Sequence, residues 1–327
     1  MPFEFLKDKI VLVTGGTGSF GRYFVDAALQ SPLKKLIVFS RDEYKQFEMQ
    51  KQISDPRARF FLGDVRDLPR LQKAFTGVDI VVHAAALKQV PALEYNPLEA
   101  VKTNVFGTQN VLDAAIDNKV EKVLLISTDK AVNPVSLYGA TKLCAEKLFV
   151  AANSYRGWEG RPNLSVVRYG NVIGSRGSLV EALLKEPERG EVMLTHEDMT
   201  RFWLKLEDAV SLVMSALSGM KGGEVFVPKV PSMKVQDLIL ALAPNCEIKT
   251  VGVRAGEKIH EALLTSDEIR RTRDFGPHYV VEPLDHEWWN GEHLKNYPSL
   301  PANFVYTSDC NNSWLKPEEI RSLVKMV

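Results

Sequence analysis

Residues 9–29 read KIVLVTGGTGSFGRYFVDAAL, and the order of its parts decides the fold. A short β-branched run ends in a glycine-rich turn, and that turn opens a segment with helical spacing. Gly15, Gly18 and Gly21 form a GxxGxxG arrangement, with Thr17, Ser19 and Phe20 between them. Glycines permit a tight turn and close backbone approach to a pyrophosphate, which then faces the positive end of the following helix. The glycines alone are a weak signal. Placed after a first strand and before a helix, they predict a dinucleotide site.

The same alternation recurs downstream. KLIVFS (35–40), ARFFLGD (58–64), VDIVVHAAA (78–86), EKVLLIST (121–128) and LSVVRYG (164–170) are strand-like, and helical patterns such as 97–118 lie between them. Strands with helical crossovers predict a parallel sheet covered on both faces, with ligands beyond the carboxyl ends of its strands. The expected class is α/β, a Rossmann-like doubly wound sheet. After about residue 173 the rhythm breaks. Residues 174–192 read as a turn, a helix and another turn, 206–219 as an amphipathic helix, and 223–228 as one more strand. The expected division is a cofactor domain over 1–173, with a return segment at about 206–228, and a smaller C-terminal substrate-binding lobe within 174–327.

Composition excludes several classes. Lysine and arginine total 41, aspartate and glutamate 41, so no net charge attracts a nucleic acid. No signal-peptide pattern or long apolar run is present, so neither secretion nor a membrane span is expected. Cys144, Cys246 and Cys310 are too scattered for a disulfide framework or a metal site, and no metal is expected. A reducing cytoplasm follows.

The second strand-like run selects the dinucleotide. An NAD site usually places an acid there for the ribose 2′-hydroxyl. Here Ser40 and Arg41 take that place, with Lys45 one helical turn on, which favours the 2′-phosphate of NADP. Asp42 is counted with them at the cofactor, with a helix cap as its plainer role. Asp64 and Val65 suit the adenine, and Ala84, Ala85 and Ala86 offer a flat surface beside the cofactor.

Residues 127–142 read STDKAVNPVSLYGATK, with Tyr138 and Lys142 at i and i+4 and an Asp129–Lys130 pair upstream. Together with GxxGxxG, HAAA and RYGNV, the Tyr-x-x-x-Lys motif resembles the extended short-chain dehydrogenase/reductases. SRDE-x-K, ALKQVPALEYNP, STDKAVNP, LYGATK and R-x-G-E-K (254–258) narrow the resemblance, over nearly the whole chain. They are similar to the UDP-N-acetylglucosamine 4,6-dehydratases of the C5-inverting group, which serve pseudaminic-acid biosynthesis.

That resemblance implies a chemistry which the residues can be asked to perform. An ammonium near Tyr138 favours phenolate, letting it take the proton of a sugar 4-hydroxyl while C4 is oxidised. Lys142 also holds the nicotinamide ribose. The resulting ketone acidifies C5–H. Asp129 then protonates the departing C6 hydroxyl, and Lys130 removes the C5 hydrogen; Thr128 joins them as a catalytic and substrate-binding residue. For Lys130 to act as a base its pKa must fall, and burial beside Lys142 and the cofactor's positive ring is expected to lower it. Related dTDP-glucose dehydratases carry Thr-Asp-Glu here, so Lys130 is the departure that points to C5 inversion.

The resemblance also assigns Lys88 to cofactor or substrate and Asn104 to the nicotinamide. Asn171, Val172, Gly174, Ser175, Arg176 and Ser178 are assigned to the substrate diphosphate, and Thr200, Arg201, Arg254 and Glu257 to uridine and pyrophosphate. It implies a soluble homo-oligomer, with a hexamer as a candidate. His83, His196 and His260 read as structural, and Cys144 as core packing facing away from the site. Three other readings stand beside the leading one. A UDP-sugar 4-epimerase needs no Asp–Lys pair, a C5-retaining dehydratase differs in stereochemistry, and a silent NADP-binding sensor needs neither Tyr138 nor Lys142.

Overall fold

Each expected strand core becomes a strand. The computed structural model describes residues 3–155, 160–186, 190–284 and 287–324. β1 (Ile10–Thr14), β2 (Lys35–Ser40), β3 (Ala58–Leu62), β4 (Ile80–His83), β5 (Lys122–Thr128) and β6 (Asn163–Tyr169) run parallel in the order β3-β2-β1-β4-β5-β6. That is the order of a doubly wound dinucleotide-binding sheet, with the chain reversing between β1 and β4. Four central strands read as almost continuous apolar runs because both sheet faces are covered; Val11, Leu12, Val13, Val81, Val123 and Leu124 have no exposed surface.

Of the later strands, β7 (Asn171–Val172), β9 (Thr200–Leu204) and β11 (Ser232–Lys234) form a small sheet, and β8 (Glu191–Leu194) pairs with β12 (Glu247–Thr250). β10 (Val225–Pro228) returns to the large sheet parallel to β6. β14 (His278–Val281) and β13 (Thr272–Asp274) extend the same edge antiparallel, from residues far along the C-terminal half. The helix Leu206–Gly219 packs on the helix Ser19–Leu29, while the helices Leu68–Ala74, Gly107–Asp117 and Leu137–Ala151 pack in a second layer. The large core is continuous through both layers. Two smaller apolar clusters, around Trp203 and Leu238 and around Leu194 and Ile239, belong to the small sheets. Of the turn–helix–turn expected over 174–192, the helix is Leu179–Lys185; residues 187–189 lie outside the described residues. Among the described residues no helix is long and apolar enough to cross a membrane.

Two features aim the site. The pattern over 97–118 is helical throughout, but Val101–Phe106 widens into a π turn, an irregularity frequent near functional sites. Arg168 on β6 is buried and grips two carboxylates. Its Nη2 lies 2.6 Å from Glu146 and 2.8 Å from Glu268, and Nη1 donates to the Leu263 carbonyl. Glu146 sits on the helix Leu137–Ala151, so this cluster fixes the helix of Tyr138 and Lys142 against the C-terminal segment.

Candidate active site

A cleft of about 770 Å³ opens beyond the carboxyl ends of the parallel strands, where a doubly wound sheet binds its ligands. At one end lies the glycine turn. Gly15 has φ +68°, and a Cβ there would stand 2.8 Å from the Ala85 nitrogen. Gly21 is as confined: its Cβ would meet Gly16 Cα at 2.5 Å. Gly18 caps the helix Ser19–Leu29, whose first amides face the cleft without a side-chain cap. This is a cradle that any larger residue would fill, and it suits a pyrophosphate.

Thr17, Ser19, Phe20, Ser40, Arg41, Asp42, Lys45, Asp64, Val65, Ala84, Ala85, Ala86 and Lys88 all line the same wall. At the end of β2 several are already engaged. Asp42 caps the helix Glu43–Gln52 through the Lys45 amide at 3.0 Å and pairs with Lys45 Nζ at 2.8 Å. The Ser40 hydroxyl accepts from Gln46 at 2.9 Å. Burial would raise Asp64, but Arg66 and then Arg41 hold its carboxyl below the usual range.

The chemistry-bearing residues meet where β5 ends. Asp129–Ala131 forms a single 3₁₀ turn, and the helix Leu137–Ala151 starts against it, capped by Ser136. Gly139 makes this approach possible, since a Cβ there would lie 2.1 Å from the Lys130 carbonyl oxygen. Thr128, Lys130, Tyr138 and Lys142 line the cleft, and Asp129 sits directly behind it with no exposed surface. Asp129 Oδ1 accepts from the Thr128 hydroxyl at 2.9 Å and from Lys130 Nζ at 3.1 Å. Its Oδ2 is buried without a hydrogen-bond partner, and a Cβ on Gly170 would come within 3.3 Å of it. Burial, reinforced by the nearby Glu261, raises the Asp129 carboxyl above its ordinary value despite Lys130.

The expected depression of Lys130 is not what the fold produces. Burial alone would lower it, but the Asp129 and Glu261 carboxylates, at 3.1 and 3.4 Å, hold its ammonium above the usual lysine value. Burial pushes the Tyr138 phenol up to about 12, and the cation that most favours its phenolate is Lys130 rather than Lys142. Lys142 donates at 2.7 Å to the Ile126 carbonyl, and burial brings it down to about 8 against the opposing Glu146.

On the opposite wall stand Asn171, Val172, Ser175, Arg176, Ser178, Arg201, Arg254 and Glu257. The Arg176 amide donates to the Ser19 hydroxyl at 3.0 Å, so this loop reaches the glycine turn. Arg201 spends its guanidinium on the carbonyls of Thr200, Lys258 and Ile259, and Glu257 accepts from Thr195 at 2.6 Å.

Besides Asp129, three expected residues lie off the wall. Asn104, in the π turn, is buried and bonds the Leu87 main chain in both directions, at 2.9 Å each, and Thr141 at 3.1 Å. Its amide is held by the main chain at the wall's edge. Thr200 bonds His260 and Ser308, and Gly174 serves the turn at φ +72°. His83 is buried between Thr14 and Thr108, at 2.7 and 3.1 Å. Cys144 is exposed, contrary to the core position expected, because two residues beyond Lys142 its helix faces outward.

The residue that motif reading missed is Glu261. It is 3% exposed and lies among Lys130, Lys258 at 3.4 Å and Arg201 at 3.9 Å. Its only sequence signal was proximity to R-x-G-E-K, whose Gly256 turns at φ +80°, where a Cβ would lie 3.1 Å from the Ser136 side chain.

Known proteins share this architecture. The model of the polysaccharide biosynthesis protein family matches residues 11–283. An inverting UDP-N-acetylglucosamine 4,6-dehydratase of Campylobacter jejuni is 46% identical over 97% of both chains. A UDP-glucose 4-epimerase of Rickettsia canadensis is 42% identical over 85% of this chain and 84% of its own. The crystal structure of Pen from Bacillus thuringiensis superposes with a TM-score of 0.89 at 37% identity, covering 98% of each chain. A parallel sheet ending in a glycine cradle, a buried Asp–Lys turn and an adjacent Tyr-x-x-x-Lys helix thus agree with the sequence relationships, and the chain belongs to the polysaccharide biosynthesis protein family.

Proposed function

We propose that this chain is a hydro-lyase that converts UDP-N-acetylglucosamine to UDP-2-acetamido-2,6-dideoxy-β-L-arabino-hex-4-ulose. One observation carries the reading. The Thr128-Asp129-Lys130 turn is packed by Gly139 against Tyr138, within the cleft that holds the glycine cradle. The 46% identical inverting dehydratase supports it.

NADP is the proposed cofactor, held by the glycine turn, the alanines of 84–86 and, at its 2′-phosphate, by Arg41 with Ser40 and Lys45. When bound, it would supply a hydride acceptor for the oxidation at C4 and a hydride donor for the reduction at C6. Tyr138 takes the proton of the 4-hydroxyl, and its high value in the free protein falls as cationic charge gathers around it. Lys142 holds the nicotinamide ribose. Asp129, whose carboxyl burial raises above its ordinary value, gives a proton to the departing C6 hydroxyl, which leaves as water. Lys130 takes the C5 hydrogen as a proton. Because two carboxylates hold it charged, it must shed a proton first. The residues of 171–178 with Arg201, Arg254 and Glu257 are proposed to receive the UDP moiety. The same reading gives residues 1–173 with about 206–228 to the cofactor, and most of 174–327 to the nucleotide sugar, in a cytoplasmic homo-oligomer.

The test is incubation with UDP-N-acetylglucosamine in D₂O without added cofactor, followed by NMR. Deuterium at C5 of an inverted 4-keto-6-deoxy sugar is expected. The epimerase reading, favoured by the 42% identical relative, instead yields a C4 epimer with C5 and C6 untouched. A C5-retaining product would overturn the inversion.

A further inference from the structure

Inversion at C5 needs two groups at that carbon. One takes the hydrogen on one side, and another gives a proton on the other. Lys130 is proposed for the first task, and the second needs an acid that faces the same sugar. Among the described residues, four lysines line the cleft: Lys45, Lys88, Lys130 and Lys142. Three are already engaged. Lys45 pairs with Asp42 at 2.8 Å, Lys142 donates to the Ile126 carbonyl at 2.7 Å, and Lys130 faces Asp129 and Glu261 at 3.1 and 3.4 Å. Lys88 has no carboxylate at ion-pair distance and no hydrogen-bond acceptor among the described residues.

The fold nevertheless places Lys88 with care. It follows β4 and Lys130 follows β5, and these are neighbouring parallel strands, so the two lysines enter the cleft from adjacent strand ends. The buried amide of Asn104 holds the Leu87 nitrogen and carbonyl, each at 2.9 Å, and reaches Thr141 at 3.1 Å. The loop bearing Lys88 is thereby registered to the helix of Tyr138 and Lys142. Beyond it, Gln89 packs on the Gly177 turn, where an added Cβ would run into its Nε2. Lys130 is tied instead to Asn171 and Glu261, both 3.4 Å away. The two ammonium groups therefore sit on separately anchored loops of one cleft.

They also differ in what holds their protons. The carboxylates of Asp129 and Glu261 outweigh burial at Lys130 and keep its ammonium above the usual lysine value. Partial burial lowers Lys88, and the charge of Lys130 lowers it further, against the opposing Glu181. Of the two, Lys88 is the readier donor.

We propose that Lys88 is the catalytic acid that protonates C5, on the side of the sugar away from Lys130. The proposal rests on the C5-inverting reading of the site. Loss of water leaves a double bond between C5 and C6, and hydride reaching C6 turns it into an enolate across C4 and C5. An Nζ–H bond of Lys88 then breaks, its proton joins C5 through the enolate's electron pair, and C4 is a ketone again. Lys88 is left as an amine and regains a proton from solvent, to which the residue is exposed. A proton of that origin is deuterium in D₂O.

Lys88→Met removes the donor, and Lys88→Arg keeps a cation that does not release its proton. Both variants should still form reduced bound cofactor when UDP-N-acetylglucosamine is added, which shows that they fold and bind. In both, the inverted 4-keto-6-deoxy product should fall by about 10²–10⁴-fold. What product forms should keep the substrate's C5 configuration and carry less deuterium there, because Lys130, holding the substrate's own hydrogen, is the donor that remains. NMR of the sugar at early times in D₂O reads both quantities. Near-native inverted product from either variant overturns the assignment. Loss of cofactor reduction in Lys88→Arg also overturns it, by making Lys88 a binding residue. A native protein that makes no 4-keto-6-deoxy sugar, or one of retained configuration, overturns the reading of the site beneath it.

Discussion

Lys130 Nζ lies 3.1 Å from Asp129 Oδ1, and the two residues are neighbours in the chain. Adjacent residues on an extended strand point to opposite sides. The 3₁₀ turn at the end of β5 brings both side chains to the same wall, one lining the cleft and one just behind it. If they divide acid and base work, removing either should leave the first half of the reaction intact. Asp129→Asn and Lys130→Met are each expected to form reduced bound cofactor with UDP-N-acetylglucosamine and then to stall, with product formation down about 10²–10⁴-fold. Absorbance of the reduced cofactor, read beside NMR of the sugar, checks this. Near-native product from Lys130→Met would end its assignment as base.

Tyr138 acts earlier. Tyr138→Phe removes the group that takes the 4-hydroxyl proton, so reduced cofactor should never appear, even in a single turnover. The cofactor itself should remain bound, because the glycine cradle is untouched. A Phe variant that still reduces its cofactor would move the first proton transfer elsewhere.

Arg41 is the test of cofactor choice. It faces the cleft at the end of β2, while Lys45 already pairs with Asp42 at 2.8 Å. Arg41→Asp is expected to shift the binding preference from NADP toward NAD by roughly 1–3 kcal/mol, the worth of a lost charged hydrogen bond. Calorimetric titration of cofactor-stripped protein measures it. Equal binding of both dinucleotides by the native chain would sink the proposal.

Gly139 tests the packing beneath the site. A methyl group at this position would lie 2.1 Å from the Lys130 carbonyl, and backbone cannot yield cheaply. Gly139→Ala should cost about 1–3 kcal/mol by overpacking, and should depress turnover further by moving Tyr138 away from the Lys130 turn. Denaturant unfolding and steady-state rates separate the two effects.

The Arg168 cluster predicts an acid limit to stability. Arg168 overcomes the effect of burial on Glu268 and holds its carboxyl down to about 2, from an ordinary 4.5. A carboxylate depressed in the folded state stabilises above its unfolded value and loses that contribution as pH falls through the folded one. Stability should therefore drop by about 3 kcal/mol between about pH 4.5 and pH 2. Arg168→Met should flatten this limb. It should also cost about 3–5 kcal/mol at neutral pH, by leaving two buried carboxylates without their cation. Urea unfolding at several pH values checks both.

Local signals made the sheet and its glycine cradle readable. Strand cores show as apolar runs, and the Gly15 turn and the Asp42 cap show as residue types tied to a backbone geometry; neither depends on distant chain. The Tyr138–Lys142 pair was legible for the same reason, being one helical turn. The electrostatic state of Lys130 was not. It answers to burial, to Asp129 beside it and to Glu261, far downstream, and burial and long-range charge leave no local pattern. Asn104 also carried a motif's expectation, but the π turn and the Leu87 main chain claim its amide. Periodicity and turn chemistry act over a few residues and are written in order along the chain, whereas a pKa answers to whatever folding brings within a few ångströms.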